Sequence, residues 1–168
     1  MTALAFAAVF AGCNYVSPLV EKDKVPVDAE LLGVWELIPG EENPSQEKFE
    51  ALILKFSDTE YAIQYPRRDK ETLFFRGYLI ELGGVNFLQT QLIGSEAGSA
   101  DPKDRKYDVL AFSIEGDTLT TAMLNTEIVN KAETSSEKLR EDFLSNKDNP
   151  KLFINEARFR KKTPAAPK

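Results

Sequence analysis

The sequence predicts an all-β domain: an eight-stranded antiparallel up-and-down barrel with one short α-helix between the last two strands. Three observations carry that prediction. Stretches rich in β-branched and aromatic residues alternate apolar with polar at period two, eight times along the chain, as strands with one face on a core do. Tight turn signals at 57–60, at Gly83-Gly84 and at Gly116-Asp117 alternate with longer connections. A helical spacing of apolar residues occurs once, ahead of the final strand.

Strands are predicted over 33–38, 51–57, 61–65, 73–82, 85–93, 107–115, 118–124 and 152–161. Eight suffice to close a small barrel and leave no edge open to further pairing. The connections 39–50, 66–72, 94–106 and 125–151 are longer than the tight turns. Because successive loops of a meander fall at alternate ends, all four gather at one end, which gives the barrel an open end and a closed one. Thr134 with Glu137 reads as a capping box, Leu139 and Phe143 share a helical face, and Asp148-Asn149-Pro150 stops the helix. That helix either closes the open end as a lid or covers core on the barrel wall.

The 168 residues are 42% hydrophobic, enough for one domain with a real core. The 21 basic and 27 acidic residues are interspersed and give a net charge of −6, which argues against a nucleic-acid partner. The absence of histidine removes the usual general base and the commonest metal ligand, so the expectation is a protein that is not an enzyme, with no cofactor and no metal. Asp101 and Asp104 follow no metal-loop spacing.

One cysteine, Cys13, excludes an internal disulfide and a thiolate cluster. It follows an uncharged apolar run, 2–12, too short to cross a bilayer as a helix and of the length of a signal-peptide apolar region. Phe10-Ala11-Gly12-Cys13 resembles the lipobox of bacterial lipoproteins, in which the cysteine is acylated and becomes the mature N-terminus. The resemblance implies a signal peptide over 1–12, a lipid on Cys13, and a bacterial cell-envelope location with the membrane as partner. Asn14, rather than aspartate, after the cysteine favours the outer membrane, facing the periplasm, by the enterobacterial rule. Pro18, Pro26 and the charged patch 21–24 read as a flexible tether over 13–29 leading to the closed end of a barrel at 30–162, with a disordered tail at 163–168.

Gly33-Val34-Trp35 at the start of the first strand resembles the opening of lipocalins, and with the strand count and loop asymmetry it makes the domain look like a lipocalin-like (calycin-type) barrel. In that family the tryptophan plugs the closed end beneath an arginine of the last strand, which implies Gly33, Trp35 and either Arg158 or Arg160 in those places. The segment 124–161 also resembles small bacterial envelope proteins. The resemblance implies a monomer that binds a lipid or other small apolar or amphiphilic ligand. The alternative is a solid barrel that serves as an inhibitor, assembly or protein-interaction module for an envelope protein partner.

Alternation points Leu110, Phe112 and Ile114 inward on one strand, and Leu52, Leu54 and Phe56 inward on another. These bulky faces either line a pocket or fill a core. Gln89 and Gln91 share a face with Phe87, so either that face turns to solvent or two amides enter the interior and need partners. Leu54, Phe56, Phe87, Gln89, Gln91, Leu110 and Phe112 are therefore the ligand-binding candidates. Arg67 and Arg68 in one open-end loop, and Lys103 and Arg105 in another, either receive an anionic group or are solvated charges.

Overall fold

Trp35 is the largest fully buried side chain, and the sheet closes around it. The computed structural model describes residues 14–22, 24–40, 49–67, 70–103 and 105–163. Residues 1–12, read above as a signal peptide, and Cys13, Arg68 and the residues beyond 163 lie outside this set.

The strands are β1 (Gly33–Ile38), β2 (Glu50–Lys55), β3 (Tyr61–Arg67), β4 (Lys70–Leu82), β5 (Val85–Ser95), β6 (Gly98–Ser99), β7 (Tyr107–Glu115), β8 (Thr118–Leu124) and β9 (Phe153–Lys161), with helix α1 (Ser136–Ser145) between β8 and β9. Each pairs antiparallel with its neighbours, β4 with β5 and β9 with β1, so that eight strands form a closed barrel and β6 extends β5 as a short hairpin. The predicted fold class is the observed one, and it is consistent with a lipocalin-like barrel. At the closed end Gly83 and Gly84 adopt φ of 61° and 80°, the positive pair that a two-residue hairpin turn requires.

Two of the connections expected to be long are partly strand. The β3–β4 ladder runs to Arg67↔Lys70, and β6 occupies part of 94–106. The loops there are correspondingly shorter than the turn signals suggested.

Two cores share the wall formed by β4, β5 and β7. Inside the barrel, Trp35, Leu37, Ile53, Tyr61, Phe75 and Phe159 pack together with their neighbours. Outside it, Ile80, Phe87 and Val109 are covered by Leu139 and Phe143 of α1 and by Tyr15, Leu19 and Val20 of the N-terminal segment. Phe143 meets Phe87 edge-on, ring centroids 5.3 Å apart. The helix is thus a cover for outer-wall core, each large side chain it buries contributing about 1.5–3 kcal/mol. Its N-cap is Ser135, one residue after the predicted Thr134, and the Ser135 side chain accepts from the Lys138 N–H.

Residues 14–31 do not stand off from the barrel as the tether expected over 13–29 would. Tyr15 exchanges two backbone hydrogen bonds with Tyr107 at the start of β7, Val25 donates to Leu79 of β4, and Val27 donates to Asp58. Near the closed end Lys24 pairs with the buried Glu60, which also holds Arg76. Burial pushes the Glu60 carboxyl up, but the Lys24 and Arg76 hydrogen bonds outweigh it and hold it below the usual value. The segment then turns through Ala29–Leu31 beneath the barrel, where the Leu31 carbonyl accepts from the Trp35 indole N–H at 2.8 Å. Its apolar residues show no period because they fit an irregular groove, so periodicity misreads it as a linker.

Candidate functional site

The interior is apolar because alternate residues of every strand point into it, and it is not completely filled. A cavity of about 70 Å³ rises from Trp35, lined by Ala51, Ile53, Ile63, Phe75, Leu88 and Phe159 and, on other strands, by Tyr65, Thr90, Leu110, Leu119 and Thr121. An engineered cavity that takes up benzene measures about 150 Å³, so the space here, about half of that, holds only a short, thin stretch of an apolar molecule.

Trp35 stands in register with Ala51 on one side and Lys161 on the other. The small Ala51 leaves room for the indole. Lys161 Nζ lies 5.3 Å from the indole centroid and donates to the Glu30 carbonyl at 2.6 Å. Arg158 and Arg160, expected over the tryptophan, are exposed on the other face of β9, so the cation is the residue next in sequence to Arg160. Gly33, at φ 124°, opens β1 beside the Lys161 side chain.

The ligand candidates divide between the two faces of the wall. Leu110 lines the cavity and Phe112 packs against the interior cluster. Leu54 and Phe56 do not point inward: they are 52% and 57% exposed, and Arg76 lies over the Phe56 ring. In Ala51–Phe56 both alternating faces are apolar, and the pairing of Ala51 with Trp35 and Ile53 with Gly33 selects the face that the bulkier side chains did not. Phe87 belongs to the outer core beneath α1.

Gln89 is fully buried, also on the outer wall, and its partners are the N-terminal segment and Tyr78 of β4. Its Oε1 accepts from the backbone N–H of Leu19 at 2.6 Å and of Val20 at 3.4 Å. Its Nε2 donates to the Val20 carbonyl and to the Tyr78 hydroxyl, which in turn donates to the same carbonyl. Burial, with nearby acidic groups, raises the Tyr78 phenol well above its usual value, so it stays a donor. The buried amide is thus satisfied by the chain's own backbone. Gln91, half-buried, lies two pairs further along β5, opposite Tyr107.

Two buried polar groups that the sequence did not single out stand side by side on the interior face: Thr90, which lines the cavity, and Asp108, which neighbours it without lining it. Thr90 is 3% exposed and its hydroxyl has no hydrogen-bond partner. Directly across the ladder from Thr90 is Asp108, 2% exposed, whose Oδ1 accepts from Asn14 Nδ2 at 2.7 Å. Burial pushes the Asp108 carboxyl up to about 7 against the opposing effect of that hydrogen bond. Gly77 makes this corner possible, since a Cβ there would come within 2.9 Å of the Thr90 methyl group. A lone buried carboxylate flanked by threonine in a sequence without histidine leaves no local signal; only the register reveals the pair.

Of the basic residues expected at the open end, Arg68 lies outside the described residues. Arg67 ends β3, Lys103 is exposed, and Arg105 turns back to donate to the Ala100 carbonyl. Among the described residues no group of three or more carboxylates or cysteines is placed to hold a metal ion, and no helix is long and apolar enough to cross a membrane.

The fold and the cavity define the class: a small closed up-and-down β-barrel with an apolar interior. No known protein family matches the chain, and no curated protein matches it.

Proposed function

We propose that this protein is a lipid-anchored, lipocalin-like barrel of a bacterial envelope that takes up one slender apolar or amphiphilic molecule between Trp35 and Thr90. The supporting observation is the apolar cavity with Trp35 at its floor, in a barrel whose outer wall carries its own separate core. The role is one of binding rather than catalysis. Trp35 is the sole tryptophan of the chain, so its fluorescence reports on the cavity floor. Titration with 1-bromooctane is expected to quench it saturably, and Ala51→Leu, which fills the floor, to weaken that quenching tenfold or more. Absence of quenching at saturating probe would leave the barrel solid and refute the reading.

The anchor rests on the lipobox-like run ending at Cys13. Growth of an expressing bacterium with an alkyne-tagged palmitate should label the full chain and leave Cys13→Ser unlabelled. Equal labelling of the two, or none, removes the lipid from the proposal.

The second reading, a protein-interaction module, is favoured by one observation. Leu54 and Phe56 place exposed apolar surface on the outer face of the sheet, where Leu54 stays half exposed among the described residues.

A further inference from the structure

We propose that the cavity selects its occupant by head group: an uncharged or cationic hydrogen-bond donor, an alcohol or amine at the end of a slender alkyl chain, seated between Thr90 and Asp108. The inference rests on the cavity reading and names the chemistry of its upper end.

Thr90 lines the cavity, and its buried hydroxyl lacks a partner. A buried hydroxyl left unpaired in an apolar wall is destabilising, and such groups are rare unless a bound molecule completes them. Asp108 is Thr90's direct partner across the β5–β7 ladder, so both side chains stand on one face of the sheet, Cβ atoms about 5 Å apart. That face is the interior one, because Leu110, two residues along β7, lines the same cavity. β5 runs from the closed end upward, which puts Thr90 nearer the open end than Leu88.

An alkyl chain lying on Trp35, Ile53 and Leu88 therefore brings its terminal group to these two residues. An alcohol can accept from or donate to the Thr90 hydroxyl, an ammonium can donate to it, and either can donate to the Asp108 carboxylate, whose other bonded partner is Asn14. A fatty-acid carboxylate has no proton to give and meets a like charge once Asp108 ionises, so the same corner rejects it. With its carboxyl lifted to about 7 by burial, Asp108 is mostly ionised at pH 8.5.

The test uses four bromine-tipped probes of equal chain length, read by Trp35 quenching at pH 8.5: 8-bromooctan-1-ol, 8-bromooctylamine, 8-bromooctanoate and 1-bromooctane. The alcohol and amine should bind about fivefold more tightly than the bromoalkane, and the carboxylate at least tenfold more weakly than the alcohol. Thr90→Val should reduce the advantage of the alcohol over the bromoalkane, Thr90→Ser should keep it, and Asp108→Asn should restore carboxylate binding. Equal affinity for all four probes, or an alcohol preference that Thr90→Val leaves undiminished, overturns the head-group assignment and leaves the cavity reading standing. Quenching by none of the four overturns the cavity reading itself.

Discussion

Replacing Asp108 by asparagine is expected to stabilise the fold at pH 8 by roughly 3–5 kcal/mol, an upper bound that relaxation will reduce, and to change it little near pH 4. Burial lifts this carboxyl from 3.8 in the unfolded chain to about 7 in the folded one. Between those values the folded protein keeps a proton that the unfolded chain has lost. The penalty from Asp108 therefore grows as pH rises through this window and is constant above it. Asparagine retains the oxygen that accepts from Asn14 and never ionises. Glu60, held below its usual value by Lys24 and Arg76, acts in the opposite sense: its contribution is present above the unfolded value and is lost as pH falls. Glu60 is common to both proteins, so the difference between their urea denaturation midpoints, followed from pH 4 to 8.5, isolates Asp108. A gap independent of pH would mean that the carboxyl is solvated and ionised throughout.

Gln89→Leu should release the N-terminal segment from a barrel that stays closed. The substitution strips the Leu19 N–H of its 2.6 Å acceptor and leaves it facing a leucine in a buried site, a loss of roughly 2–4 kcal/mol. The Val20 carbonyl keeps its bond from Tyr78, so the segment is loosened rather than expelled. Hydrogen exchange checks this directly. The amides of Leu19, Val20 and Val25 should exchange at least tenfold faster, while ladder amides of β7 and β8 are affected less. Uniform acceleration along the chain would show that the segment and the barrel unfold as one unit.

The interior of β7 was legible because its alternation is unambiguous: Leu110, Phe112 and Ile114 on one face, with Asp108 continuing that face toward the open end. β2 was not, since Ala51, Leu52, Ile53 and Leu54 are all apolar and the side chain that turns inward is chosen by what lies across the ladder. On β5 the phase was readable but its meaning was not. Phe87 and Gln89 do share a face, yet that face is the outer one, buried only because α1 and the N-terminal segment cross it. Buried amides and orphan hydroxyls are invisible in a sequence for the same reason: the partner, or its absence, belongs to another part of the chain.

The sequence by itself determined the strands, the alternation of tight turns with longer connections, the place of the helix, and the tryptophan at the closed end, because each is set by residues a few positions apart. Only the tertiary structure decided that Lys161 rather than an arginine covers Trp35, that residues 14–31 bind the barrel, and that Thr90 faces Asp108 above an apolar cavity. Those arrangements depend on register between strands distant in the chain. A shift of one residue exchanges the inside of a sheet for its outside, and nothing local to either strand fixes which is chosen.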